Sequence, residues 1–143
     1  MLQEVLAGWI GVEPGSYTHF ADSLHLYEED ATNTFSSVHV PMAAIRDSLA
    51  LPKSQADIIW SEMNRRVDIL VADEIPTKEY GNLARLYDAP DAFTNLMAVV
   101  TADAARRKTN IDGVNEAMSH CTSPSLKQLW NRWAERKRIH SLS

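Results

Sequence analysis

Apolar positions recur at helical spacing along most of the chain, with one exception near its start. Residues 2–10 place Leu2, Val5, Leu6, Trp9 and Ile10 at i, i+3 and i+4 intervals, which predicts one buried helical face. Gly11 stops that helix. Glu13-Pro14-Gly15-Ser16 then reads as a turn, proline presetting one backbone angle and glycine permitting a positive one. Over residues 17–27 the residue types become β-rich, with Tyr17, Phe20, Leu24, Leu26 and Tyr27, and predict a strand. His19, Ala21, Ser23, His25 and Tyr27 would share one of its faces, Leu24 and Leu26 the other.

Beyond about residue 40 every periodic stretch is helical. Pro41 opens a predicted helix over Met42–Leu49, which Leu51-Pro52 ends. Ser54, with Asp57 three residues on, resembles a capping signal ahead of the stripe Ile59, Met63, Val67 and Leu70. Pro76-Thr77 begins a helix through Leu83, Leu86 and Tyr87, and another runs from about Asp91 with Phe93, Leu96, Met97, Val100 and Ala104 on one face. Residues 110–120 predict a weaker helix, because Gly113 sits inside it. Ser123-Pro124 supplies a cap followed by proline at the first helical position, and the helix that follows should bury Leu126, Leu129, Trp130 and Trp133. The predicted fold is mainly α: a short α-turn-β unit in residues 1–38, then an array of five or six helices in residues 39–143.

Composition narrows the class. With 143 residues, 45% of them apolar and 23% charged, the chain has the material of one soluble globular domain. No apolar run reaches the roughly 18 residues of a membrane span, and the first ten residues carry an early acid without the basic start of a signal peptide. The single cysteine, Cys121, excludes an internal disulfide framework and fits a reducing, cytoplasmic setting. Net charge is −5, with acids at Glu28-Glu29-Asp30 and bases at Arg106-Arg107-Lys108 and Arg136-Lys137-Arg138. Three-residue basic clusters at helix ends suit the helix dipole or a solvated face, and no aromatic interleaving marks them for nucleic acid, which is not expected as a partner.

The run Gly11-Val12-Glu13-Pro14-Gly15-Ser16-Tyr17-Thr18-His19-Phe20-Ala21-Asp22-Ser23-Leu24-His25-Leu26-Tyr27 is similar to a motif of the thymidylate synthase family, which includes dCMP hydroxymethylase-like enzymes. There a helix ends in a Gly-Leu-x-Pro-Gly turn that feeds a strand finishing in His-x-Tyr, and the helix before it matches here as well. The likeness covers roughly the first 30 residues. It implies that His25 and Tyr27 hydrogen-bond the 3′-hydroxyl of a pyrimidine deoxynucleotide, dUMP or dCMP. Two residues apart on a strand they would face one side, so an imidazole and a phenol can converge on one hydroxyl. Two departures stand out. Asp22-Ser23 replaces the family's Gly-Asp, which moves the acid to the opposite face, and Glu28-Glu29-Asp30 replaces its Asn-His. Both bear on which nucleotide is accepted, since carboxylates repel an anionic ligand.

The family's chemistry needs a cysteine thiolate to attack C6 of the pyrimidine, and arginines to grip the phosphate. In the family these residues lie before the segment matched here, so the chain is expected to be the carboxy-terminal part of such a methyl- or hydroxymethyltransferase. It would contribute sugar contacts and no catalytic residue; the reduced folate that the resemblance implies belongs to the full-length enzyme. Cys121, in Ser119-His120-Cys121-Thr122, is placed far downstream at a helix end and is expected to be a small buried residue, although His120 beside it could depress a thiol pKa. His19 and His25 are too far apart for paired metal ligands, and no metal site is expected. Trp130 and Trp133 with Arg132 and Arg136 could form a stacking platform but have the spacing of core residues. The alternative to the nucleotide-enzyme reading is a non-catalytic helical interaction or dimerisation domain. An unpaired strand edge must be covered, which predicts a homodimer or an upstream domain as partner.

Overall fold

Six α-helices make up the described part of the chain, residues 2–16, 18, 47–71 and 74–140, in a computed structural model of the protein. They are α1 (Leu2–Ile10), α2 (Lys53–Val71), α3 (Thr77–Ala84), α4 (Asp91–Arg107), α5 (Ile111–Ser119) and α6 (Pro124–His140). The protein is mainly α, and five of the six helices lie beyond residue 50. The strand expected over residues 17–27 lies outside the described residues except for Thr18, so the α-turn-β unit is described only as far as its helix and turn.

Glycine and proline set several helix ends. The left-handed φ of +71° at Gly11 lets the chain fold back on α1, so that Gly11 N–H reaches the Gly8 carbonyl (3.3 Å) and Val12 N–H the Ala7 carbonyl (3.0 Å). That pair of bonds satisfies carbonyls that the helix end would otherwise orphan. The end of α4 is closed the same way: Thr109 N–H bonds the Arg106 carbonyl (2.9 Å) and Asn110 N–H the Ala105 carbonyl (3.0 Å). Here the left-handed residue is Thr109, at φ +55°. A β-branched residue in that conformation is strained. The helices α3 and α6 start next to or at the prolines that the sequence predicts, Pro76 and Pro124, and α4 starts at Asp91 directly after Pro90.

One core joins α1 to α4. Ile59, Met63 and Leu70 from α2 meet Tyr80 and Leu83 from α3 and Phe93 and Met97 from α4, with Trp60 edge-on to Phe93 at 5.4 Å between ring centroids. Each large side chain buried there contributes about 1.5–3 kcal/mol. A second cluster is built of small residues, Ala84, Ala98, Ala102, Ala117 and Cys121, and lets α3, α4 and α5 approach closely. Gly113 belongs to that close packing, because a Cβ there would stand 2.7 Å from Cδ2 of Tyr80.

Several expectations are corrected. Residues 47–49 are not helical; the rest of the helix expected over 42–49 lies outside the described residues. Leu49 is buried, and its N–H donates to the Glu4 carboxylate at 2.9 Å, a bond to α1 in place of a helical one. Helix α2 begins at Lys53, ahead of Ser54, and Lys53 takes the Asp57 carboxylate, so the expected capping pair does not form. Its buried stripe is Ala56, Ile59, Met63, Arg66 and Leu70, with Arg66 inside and Val67 exposed. Helix α3 stops at Ala84; Leu86 is still buried, but Tyr87 is exposed with Arg85 stacked on its ring at 4.5 Å. Val100 of α4 and Leu129 of α6 are exposed, and Leu126, Trp130 and Trp133 are half-buried.

Candidate functional site

The two predicted sugar-contacting residues, His25 and Tyr27, lie outside the described residues, as does His19. What is described is the frame on either side of them. On the leading side, Gln3 Nε2 of α1 donates to the Gly15 carbonyl at 2.9 Å and holds the Pro14-Gly15 turn against the helix. On the returning side, Glu4 Oε1 accepts from Leu49 N–H at 2.9 Å. One turn further on, Gly8 presses on the backbone of Ala50 and Leu51; a Cβ at Gly8 would lie 2.5 Å from Leu51 N. Consecutive residues of α1 therefore grip both ends of the span that carries the motif.

A buried polar junction anchors the returning chain a second time. Asn95 is fully buried in α4, and its Nδ2 donates to Asp47 Oδ2 at 2.7 Å. Its Oδ1 accepts from Thr122 N–H at 2.7 Å, from the Thr122 hydroxyl at 3.3 Å and from Ser123 N–H at 3.4 Å. The amide thus joins residue 47 to the α5–α6 connection, and every polar atom of its side chain has a partner, as burial demands. Cys121 sits beside this junction, buried, its thiol near the Ser123 carbonyl at 3.8 Å. Burial pushes the thiol pKa up, against smaller lowering by the Ser123 contact and by Lys127. Cys121 is buried, as expected, and a raised thiol pKa disfavours the nucleophilic thiolate.

A second polar structure is also architectural. Arg66 crosses from α2 to the end of α3 and donates from its NH1 group to the carbonyls of Asn82 (2.9 Å), Leu83 (3.0 Å) and Arg85 (2.6 Å). Its Nε bonds Glu62 Oε1 at 2.7 Å, while Arg65 pairs with both oxygens of the same carboxylate. Hydrogen bonds from Arg65 and then Arg66 hold the Glu62 pKa down at about 2. This guanidinium caps α3 as a charged side chain, which no local sequence signal announces.

Two of the concavities among the described residues lie beside these elements. One is polar, about 490 Å³, lined by Glu74, Ile75, Pro76, Tyr80, Lys108 and Asn110. Asn110 is committed there to capping α5, accepting from Gly113 N–H at 2.8 Å and donating to the Thr77 hydroxyl at 3.2 Å. The other is an apolar groove of about 440 Å³ between α4 and α6, lined by Val99, Val100, Asp103, Leu126, Leu129, Trp130 and Trp133. The Trp130 and Trp133 rings lie 5.1 Å apart at 40°, and the Arg106 guanidinium covers Trp133 at 4.8 Å. The two tryptophans, read from spacing as core, are half-buried: Trp130 packs against the second core cluster, and both line this open groove. Among the described residues no group of three or more His, Cys, Asp or Glu side chains could hold a metal ion, and no helix is long and apolar enough to cross a membrane.

No protein-family model matches the chain, and no curated protein or solved structure matches it either.

Proposed function

We propose that this chain supplies the deoxyribose-contacting segment of a thymidylate synthase-like pyrimidine nucleotide C5 methyl- or hydroxymethyltransferase. His25 and Tyr27 would bind the 3′-hydroxyl of dUMP or dCMP, while the nucleophilic cysteine and the reduced folate site come from outside these 143 residues. The observation that carries this reading is the motif from Gly11 to Tyr27 itself. It is supported by α1 ending at a left-handed Gly11 and by the Pro14-Gly15 turn pinned to Gln3, the local geometry that such a helix-turn motif requires. The inert setting of Cys121 supports it too, since chemistry within this chain would need an available thiolate. A cytoplasmic location fits a protein whose only cysteine is buried and unpaired.

Calorimetric titration with dUMP and with dCMP tests the proposal on the wild-type chain and on the His25→Ala/Tyr27→Phe double variant. Weak binding without turnover is expected from the wild type, and a loss of about 5- to 100-fold from the variant, the worth of two neutral hydrogen bonds at about 0.5–1.5 kcal/mol each. Equal affinity in the two proteins would count against any sugar contact by this pair.

A second reading, a non-catalytic helical docking or dimerisation domain, is favoured by a different observation: the apolar groove between α4 and α6, together with the exposed apolar side of α1. The two readings are compatible, because a nucleotide segment and a docking surface can share one chain.

A further inference from the structure

Tyr80 carries a hydroxyl that the fold does not use. The residue is only 1% exposed, its ring packed into the space that Gly113 leaves. The hydroxyl has no hydrogen-bond partner among the described residues, yet it is not sealed off: it opens on the polar cavity of about 490 Å³ that Tyr80 lines. A phenol on an otherwise buried ring normally finds a partner, and here the described residues supply none. Desolvation pushes its pKa up, so it stays a neutral donor.

Two helix starts stand beside the same cavity. Pro76, at the N-cap of α3, offers no side-chain cap, and Asn110, at the N-cap of α5, takes Gly113 N–H at 2.8 Å. Asn110 Nδ2 also reaches the Thr77 hydroxyl at 3.2 Å, which holds the two starts side by side. First-turn N–H groups without an intrahelical partner, and the positive ends of two helix dipoles, therefore meet at one place. Such an arrangement suits a carboxylate. Glu74 makes the opposite demand. It is an exposed acid on the same lining, and Glu79 and Asp112 lie in the first turns of the two helices, so a bare anion is repelled and a cationic group attracted. Lys108 also lines the cavity but is itself engaged, and the site does not depend on it. Ile75 and Pro76 add apolar surface. An α-amino acid meets both demands within one small molecule, and the volume is that of an ordinary small-molecule site.

We propose that this cavity binds a free α-amino acid with a small apolar side chain. The Tyr80 hydroxyl and the starts of α3 and α5 hold its carboxylate, and Glu74 holds its ammonium. The site is separate from His25 and Tyr27, so its failure would leave the nucleotide titration untouched.

Titration of the full chain with L-alanine, followed by backbone amide NMR shifts, provides the test. Saturable shifts are expected at residues 74–80 and 110–113. N-acetylalanine lacks the ammonium and alaninamide the carboxylate, and each should bind at least about tenfold more weakly, as should inorganic phosphate. Tyr80→Phe removes only the hydroxyl. It should leave thermal stability unchanged and weaken L-alanine by about tenfold or more, the worth of a hydrogen bond to a charged group. Glu74→Gln, at an exposed position that folding tolerates, should weaken L-alanine and leave N-acetylalanine as it was, and it carries the test should Tyr80→Phe fail to fold. No saturable shift at these residues, or L-alanine affinity unchanged in both variants, would overturn the proposal. Equal binding of N-acetylalanine or phosphate would overturn it in favour of a plain anion site, and equal binding of alaninamide in favour of a cation site.

Discussion

Two single residues in this protein run against ordinary helix rules, and in opposite directions. Gly113 lies inside α5, where alanine would normally add about 1 kcal/mol of stability. Its missing Cβ is instead the space into which Tyr80 packs, with ring atoms 2.7 and 3.1 Å from where that Cβ would be. Gly113→Ala should therefore destabilise the fold by about 1–3 kcal/mol, the cost of overpacking, in urea-denaturation experiments. An unchanged or raised midpoint would show that Tyr80 gives way freely. Thr109 is the reverse case, a β-branched residue at φ +55° where glycine would be at ease. Thr109→Gly should raise stability by about 0.5–1 kcal/mol in the same assay, by relief of left-handed strain. Glu62 adds a dependence on pH. Its folded pKa, about 2, lies below the ordinary carboxylate value of about 4.3. Its contribution is therefore fully present above about pH 5 and lost as pH falls toward 2. The carboxylate is partly exposed, so solvent screening keeps the effect modest. Glu62→Gln should flatten that part of the stability curve against pH, and a parallel curve would assign the acid sensitivity to other carboxylates.

At the scale of elements, helix α1 is the piece that ties the motif-bearing span to the folded helices. Gln3 and Glu4 hold the chain before and after that span, and Gly8 makes room for the backbone of Ala50 and Leu51. Gly8→Ala would thrust a methyl to 2.5 Å from a backbone nitrogen, which cannot rotate away as a side chain could. We expect amide protection to drop through α1 and around Leu49 while α4 stays protected, a local opening that hydrogen exchange resolves. Uniform loss across all helices would mean that α1 is integral to the global core. The elements were largely legible in the sequence where punctuation is local: Gly11 ends α1, Pro76-Thr77 starts α3, Asp91 starts α4 and Pro124 starts α6. What was not legible depends on partners distant in the chain. Residues 47–49 follow a helical pattern, yet Leu49 bonds Glu4 and Asp47 bonds Asn95, 45 and 48 residues away. Arg66 was hidden for the same reason, since its acceptors are backbone carbonyls 16 to 19 residues on. No periodicity distinguishes an arginine that will cap another helix from one that will face water. Asn95 likewise sits among apolar neighbours of α4 and declares itself only when Thr122 and Asp47 arrive.

For the whole molecule, the sequence and the helices divide the functional reading between them. The nucleotide proposal rests on residues 11–27, at the acidic end of the chain, the docking reading on α1 and the α4–α6 groove, and the amino-acid site on the cavity at Tyr80. None calls on the buried Cys121, and the buried hydrogen bonds of Asn95 and Arg66 are accounted for by architecture. The remaining question is whether this chain recognises a deoxyribose. The most direct measurement compares dUMP with its 2′,3′-dideoxy counterpart, titrated calorimetrically into the wild-type protein. If His25 and Tyr27 hold the 3′-hydroxyl, removing that hydroxyl should weaken binding by about tenfold or more, as expected for a site left with two unpaired polar groups. Equal affinity for the two nucleotides, or no detectable binding of dUMP and dCMP alike, would contradict the account.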